Sequence, residues 1–533
     1  MNTELPRAKK PRAWLIAAIV FVLAFDLAFA WQRCAGASSS ELGGHPDEAG
    51  HYVSGLMAHD FLAHGIYHSP LKFAEEFYRH YPKAGHGVQP PAFYAAQAAW
   101  MLPFGESKTS ILLLMGALAA VVAVLLFRQL HDEFGIVSAG ITMVLFLSLP
   151  LVREYYSLVM AEMLCTAAMF GAASAFGRFL EQEKPSDALW FGLLAALAIM
   201  TKSSGLALAL VVPLSLLLTG KWHLLKRPAL WGGAAVTAVL AGPWMWHFRR
   251  GSWLQFDPSW SFAGKALPFY AGRFGLAVGA LLALLMIVGL AAKLLQPAER
   301  TGRWSAFGAL IASVVVFHGI VPDGLESRHL LPAVPAALMF AVAGCAFLAR
   351  RFGANARRAL AIEIGVAAVL TLGLFEFILH ASNMKKWSGF RPLAQTVLEN
   401  KENPQGRVLV ASDASGDGMF IAEIATAEKR PGHTIDRATK LLADTESSGR
   451  YRRAKFADDE ELTDFLLEQN LSYIVLDDSV PDLERGAYHD MLKRVLIENT
   501  ERFWEVATAP IVRDSILQET PVRLYRVQAR NRF

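Results

Sequence analysis

The sequence predicts a polytopic α-helical membrane domain followed by a soluble α/β domain, and three observations predict it. Of 533 residues, 54% are hydrophobic and only 18% are charged, against roughly 25% charged in soluble proteins. The apolar residues are gathered into long blocks as far as about residue 380, many of them near the roughly 20 residues that cross a bilayer. Beyond that point the composition turns polar and the apolar runs shorten to strand length. The expected division is 1–385 for the membrane domain and 386–533 for the soluble one.

The N-terminus, MNTELPRAKKPRAW, is basic and precedes an apolar run over 13–30. Trp31-Gln32-Arg33 is a poor small-residue cleavage site, so an uncleaved first helix is expected rather than a signal peptide. Further spans are expected at 108–127, 136–151, 158–180, 187–201, 203–219, 228–247, 270–293, 304–321, 329–349 and 359–380, eleven with the first. With the N-terminus in the cytoplasm, the basic clusters at Arg128, Arg178/Lys184, Lys221/Lys226/Arg227, Lys293/Arg300/Arg303 and Arg350/Arg351/Arg357/Arg358 all fall on the cytoplasmic side, as the positive-inside rule requires. Arg249-Arg250 is the exception. Residues 90–104, PPAFYAAQAAWMLPF, are short and carry proline at both ends, and are expected to lie at the outer surface rather than to cross. This threading gives a multi-pass integral membrane protein, with a long first outer loop (31–107) and an extracytoplasmic C-terminal domain; a bacterial inner membrane is the expected location. The net charge of +4 is spent on topology, so nucleic acid is not an expected partner. Cys34, Cys165 and Cys345 suggest no disulfide framework.

Reactive residue types collect on the outer face of this threading. The first outer loop carries Pro46-Asp47-Glu48, where proline and acidic residues suit the first turn of a helix; that role and a catalytic one are both open. Segment 47–64 reads as an amphipathic helix with Tyr52, Leu56, Phe61 and Leu62 on its apolar side. His45, His51, His59, His64, His68, His80 and His86 share the loop, but no HExxH or paired Cys/His spacing is present, so surface histidines stand beside a metal site as readings. The next outer turn, LVREYYSLVMAEML, carries Arg153, Glu154 and Glu162. A carboxylate at the start of an apolar helix must face a cavity or pair with a base, and Arg153 is the nearest base in sequence. Lys202 interrupts two apolar halves in AIMTKSSGLALAL; it either snorkels to headgroups or holds a phosphate as a point charge. VPDGLESRHLLPAVP brings Asp323, Glu326, Arg328 and His329 to a further outer turn, where arginine runs against the topology rule and suits a two-point grip on an anion. Carboxylates that take a hydroxyl proton and cations that neutralise a departing phosphate are what group transfer from a lipid phosphate needs. Transporters also place charges in membrane cavities, and a transporter or flippase of a lipid-linked or anionic substrate is the alternative.

The order of these features resembles the GT-C membrane glycosyltransferases of the protein O-mannosyltransferase and aminoarabinose-transferase group. The resemblance rests on Pro46-Asp47-Glu48 with His51-Tyr52, Gln89-Pro90-Pro91-Ala92-Phe93-Tyr94, the turn ending at Glu162, Thr201-Lys202, and Arg328-His329-Leu330-Leu331-Pro332, and it spans about 13–350. It implies inverting transfer of a sugar from a polyprenyl-phosphate donor in the bilayer to an extracytoplasmic lipid, glycan or protein. It implies Asp47 as catalytic base with Glu48 beside it, Lys202 and Arg328 near the donor phosphate, and Glu162, Arg153, Glu326 and His329 in support. Glu162 stands where an aspartate is usual and His329 where a tyrosine is usual. No organic cofactor is implied; a divalent metal is left open.

In the C-terminal domain, 406–412 reads as a strand, 417–430 and 459–470 as helices, 472–478 as a strand, 485–500 as a helix, and FWEVATA and VRLYRVQ as late strands. Alternating strands and helices predict a three-layer α/β arrangement. SDASGDG at 412–418 lacks the full GxGxxG, so an accessory domain is expected rather than a nucleotide site.

Overall fold

The computed structural model describes residues 13–85, 89–248, 259–322, 324–353, 365, 385–400, 403, 405–445 and 452–528. The chain folds as two compact units. The first holds Met1–Trp31, Met115–Tyr156 and Ala161–Ala381; the second holds Gln32–Leu114, Ser157–Met160 and Ser382–Phe533.

The first unit is helical. Among the described residues, five helices are long and apolar enough to cross a membrane: Trp14–Ala35, Lys108–Ser148 (which begins in the second unit), Glu162–Gln182, Gly302–Ile320 and Ser327–Phe352. Large apolar side chains such as Leu23, Trp231, Val239, Leu276 and Leu284 stand exposed on this unit, as lipid-facing surface requires. The expected spans 108–127 and 136–151 form one helical stretch broken at Gly135, where φ is 80°; glycine enters that region without a Cβ clash. The expected span 270–293 is instead two helices, Trp260–Val278 and Ala280–Leu290, bent by 108° at the break. Gly279, with φ 86°, supplies the corner. Pro185–Thr201 and Ser203–Thr219 are apolar but shorter than the five, as their sequences predict. The expected span 359–380 (residue 365 apart), Asp323 and Arg249-Arg250 lie outside the described residues.

Close packing in this unit runs through glycine. A Cβ at Gly192 would run into the carbonyl of Gly233, joining Pro185–Thr201 to Pro228–Phe248, and one at Gly289 into the carbonyl of Phe340, joining Ala280–Leu290 to Val334–Phe352. Without a hydrophobic drive between helices in lipid, such backbone approach is what holds them.

The second unit contains a five-stranded sheet in the order Thr434–Arg437, Arg407–Ala411, Leu471–Asp477, Val522–Val527, Phe503–Ala509. The first three strands run parallel and the last two antiparallel. Leu409, Ile474 and Leu476 pack with Leu462, Leu466, Leu492 and Val495 of the helices Asp459–Glu468 and Ala487–Glu498. Val408, Val410 and Val475 point the other way by the strand period and are also buried, so both faces are covered, as the alternation in sequence predicts.

Residues Gln32–Leu114 belong to this same unit. Helix Glu48–Asp60 packs on Ala92–Phe104 and on Ala414–Ala427. Ala92–Phe104 has 13 residues, about 20 Å at 1.5 Å per residue, too short for a hydrocarbon core of about 30 Å. Tyr52 and Leu56, expected on the apolar face of 47–64, are buried, whereas Leu62 is exposed, because the helix passes into a π turn over Phe61–Gly65 that rotates the remaining side chains off the face. Glu41 clasps the loop to the C-terminal segment: its carboxylate accepts the N–H groups of Gly389, Phe390 and Arg391, each at 3.0 Å.

Candidate active site

In the first unit, four of the singled-out residues meet. Glu162 opens helix Glu162–Gln182, where the helix dipole favours a negative charge. Its carboxylate accepts from Lys202 Nζ at 2.7 Å and stands 3.4 Å from Arg328 Nη1. Its side chain is 3% exposed, against 19% for Lys202 and 11% for Arg328. Arg328 also holds Glu326 at 2.7 Å, and Glu326 is 39% exposed.

Local backbone explains how Lys202 reaches this cluster. Pro185–Thr201 ends at Lys202, whose backbone is extended (φ −158°, ψ 144°), and a 3-10 turn over Ser203–Ala207 follows. At Gly205 a Cβ would sit 2.5 Å from the Ile199 nitrogen and 2.7 Å from the Ala198 carbonyl oxygen. The turn doubles back so tightly on the helix end that only glycine fits, and the break that frees Lys202 depends on it. Arg328 lies in a 3-10 turn, Ser327–Ala333, ahead of Val334–Phe352.

Of the two remaining supporting residues, Arg153 stands apart from Glu162 and His329 adjoins the cluster in the same turn as Arg328. Arg153, the nearest base to Glu162 in sequence, lies over the Trp31 ring at 4.2 Å, so Lys202 and Arg328 are the cations beside Glu162. His329 is buried, pairs with the Tyr270 hydroxyl at 2.8 Å and stacks on His318 at 4.2 Å. Tyr270 and His318 escape a reading of the sequence because each is an ordinary polar residue inside an apolar run.

In the second unit, Asp47 and Glu48 have opposite environments. Asp47 stands at the N-cap of Glu48–Asp60 with its side chain 45% exposed and 3.6 Å from His45 Nδ1. Glu48 is buried; one oxygen accepts from the Gly44 N–H at 3.0 Å and the other from the Val159 N–H at 3.2 Å. Burial raises the Glu48 pKa against the pull of Lys108 and of those backbone donors. Both Glu48 oxygens are directed at backbone, so the donor set does not fit one divalent ion chelated by the adjacent pair. A third group went unseen in sequence: Lys83, whose Nζ donates to the Ala414 carbonyl at 2.6 Å. Burial pushes its pKa down to about 8, while Asp417, Asp47 and Asp413 pull it up. Gly50 and Gly418 make room for it, since a Cβ at either would touch Lys83.

Comparison with known proteins agrees with this architecture. Residues 88–247 match the family of dolichyl-phosphate-mannose-protein mannosyltransferases. ArnT from Cupriavidus metallidurans bound to undecaprenyl phosphate superposes with a TM-score of 0.56 at 14% identity, over 96% of this chain and 98% of that one. Arabinofuranosyltransferase AftD from Mycobacteria gives 0.54 at 16% identity over 98% of this chain and 40% of that one. The Archaeoglobus fulgidus oligosaccharyltransferase tethered with an acceptor peptide gives 0.52 at 13% identity over 87% and 70%. No curated protein sequence matches significantly. With apolar helices long enough to span a bilayer and a strand-bearing C-terminal region, this chain is a membrane protein of the GT-C fold, the fold of these membrane glycosyltransferases.

Proposed function

We propose that the protein transfers a sugar from a polyprenyl-phosphate donor to an extracytoplasmic acceptor, with inversion at the anomeric carbon. The observation that carries this reading is the convergence of Lys202 and Arg328 on Glu162. Lys202 and Arg328 supply two positive charges, Glu162 removes one and is fixed by burial, and Glu326 is exposed enough to turn into water. Two cations side by side, one of them paired with a half-exposed carboxylate, suit an anionic ligand. Lys202 offers a point charge and Arg328 a planar fork, both suited to a lipid phosphate. The match of residues 88–247 to a family that uses a polyprenyl-phosphate sugar, and a fold neighbour bound to undecaprenyl phosphate, support the same donor class.

In this reaction the acceptor hydroxyl oxygen bonds to the anomeric carbon as the bond from that carbon to the phosphate oxygen breaks. The electron pair leaves on the phosphate, where Lys202 and Arg328 stabilise it. Asp47 takes the hydroxyl proton, a contribution of about 100- to 10,000-fold for general bases. Glu48 shapes the loop that presents Asp47. The N-terminus is assigned to the cytoplasm of a bacterial inner membrane and Asp47 to the opposite face.

The test is incubation of the purified chain with polyprenyl-phosphate sugars and candidate acceptors, wild type against Asp47→Asn. The expected outcome is product from wild type and at least a 100-fold lower rate from the variant. Equal turnover removes Asp47 as base. Flux of the lipid-linked substrate across vesicles with no covalent product supports a transporter instead.

A further inference from the structure

We infer that the second unit carries a site for a zinc-class divalent ion at His59, Asp60 and Glu106, separate from Asp47. His59 and Asp60 end helix Glu48–Asp60, twelve and thirteen residues beyond Asp47, or about 20 Å along a helix. The ion proposed here is therefore out of reach of the Asp47 carboxylate.

Three observations converge on it. The first is spacing. His59 Nδ1 lies 3.0 Å from an Asp60 oxygen and 3.4 Å from a Glu106 oxygen, and all three ligand atoms lie within 4.8 Å of one another. Ligands at about 2.1 Å in a tetrahedron are about 3.4 Å apart, so the set is close to the size of a zinc shell before any ion arrives. The second is charge. Arg430, buried, donates to both oxygens of Asp60 and to Glu106. One guanidinium against two carboxylates leaves one negative charge over beside the imidazole, which attracts a cation to that side. Arg430 then acts as the outer partner that orients ligating carboxylates. The third is access. His59, Asp60, Glu106 and Arg430 all line one cavity of about 640 Å³, whose wall also includes His64 and Lys72. Three protein ligands with a fourth position open to a cavity is the arrangement of an ion that binds an exogenous oxygen rather than one that only braces a fold. His64 comes from the π turn Phe61–Gly65, a backbone feature frequent at functional sites.

The experiment uses the full chain, tag-free, stripped with chelator and dialysed against zinc chloride. Metal content is read by mass spectrometry, and cobalt(II) serves as a spectroscopic probe of nitrogen and oxygen ligation. Wild type is expected to keep one ion per chain. His59→Gln, which leaves every carboxylate and Arg430 in place, is expected to bind at least tenfold more weakly, and Asp47→Asn to bind like wild type. Folded wild type that retains no zinc overturns the site. So does His59→Gln binding as well as wild type, or Asp47→Asn losing the ion, which moves the metal to the candidate base. Because these readouts are independent of turnover, they stand whether or not sugar transfer is found.

Discussion

Replacing Glu162 by glutamine separates two effects that the geometry assigns to one carboxylate. The side chain keeps its shape, but the negative charge between Lys202 and Arg328 is gone. Loss of a hydrogen bond to a charged partner costs about 1.5–3 kcal/mol; Arg328 keeps Glu326 at 2.7 Å, so the loss falls mainly on Lys202. The apparent Tm therefore falls. A lipid phosphate on Lys202 would sit roughly 6 Å from the lost charge, where one unit charge interacts with another by about 3 kcal/mol at an effective dielectric of about 20. Affinity for a polyprenyl phosphate should therefore rise, by at most about 100-fold. The assay is titration of polyprenyl phosphate into detergent-solubilised protein at low and high salt, with thermal melting of the same samples. Lys202 is partly open to solvent, so salt should erode the gain. A folded Glu162→Gln that binds the lipid phosphate no more tightly than wild type refutes the assignment of Lys202 and Arg328 to the donor.

Three further outcomes follow from other contacts. Glu326→Gln alters a pair whose carboxylate is 39% exposed, so melting should change by about 1 kcal/mol equivalent, less than for Glu162→Gln. Glu41→Gln presents an amide nitrogen to at least one of three backbone donors; a loss of about 1–3 kcal/mol should appear in chemical denaturation followed by tryptophan fluorescence. Lys83 has a folded pKa of about 8 against 10.5 unperturbed, so between those values the unfolded chain binds more protons and this residue's contribution to stability rises with pH. It is fully present above 10.5 and is lost as pH falls through 8; Lys83→Met should flatten the rise in Tm between pH 8 and 10, and an unchanged slope counts against the buried amine.

How much of this was legible depends on the range of the interaction. Hydropathy placed the helices, and its departures are local backbone events at Gly135 and Gly279, where a positive φ lets the chain break inside an apolar run. The central strands were legible because GRVLVAS and SYIVLDD are apolar runs of strand length; Thr434–Arg437, with Ile435 as its one apolar residue, carries no such signal and is an edge. Glu162, Lys202 and Arg328 could be singled out because charge in apolar surroundings is costly. Their pairing could not be read, since Glu162 and Lys202 are 40 residues apart and Arg153 is the nearer base. The same holds for Arg430 with Asp60, which are 370 residues apart. No periodicity encodes which distant charge a folded chain will bring alongside.

The adjacent pair Asp47-Glu48 shows what the structure adds to a motif. In sequence the two carboxylates are adjacent, and only the resemblance marks Asp47 as base with Glu48 beside it. In the fold, Glu48 is buried onto the N–H groups of Gly44 and Val159, while Asp47 remains open to solvent beside His45. Two carboxylates driven into unlike surroundings take unlike roles. Burial commits Glu48 to holding the turn before the helix, because moving it would strand two backbone donors. Asp47 makes no side-chain cap on its own helix, and the turn that carries its backbone is held by Glu48. A base positioned in this way depends on its neighbour for geometry and on itself for chemistry. Glu48→Asp, one methylene short of Gly44 and Val159, should therefore lower the rate of transfer by misplacing Asp47, with the pH dependence of the remaining rate unchanged. Asp47→Glu keeps the turn and moves only the proton acceptor. If Glu48→Asp instead shifts the pH profile while Asp47→Glu leaves it untouched, Glu48 is the base and the assignment is reversed.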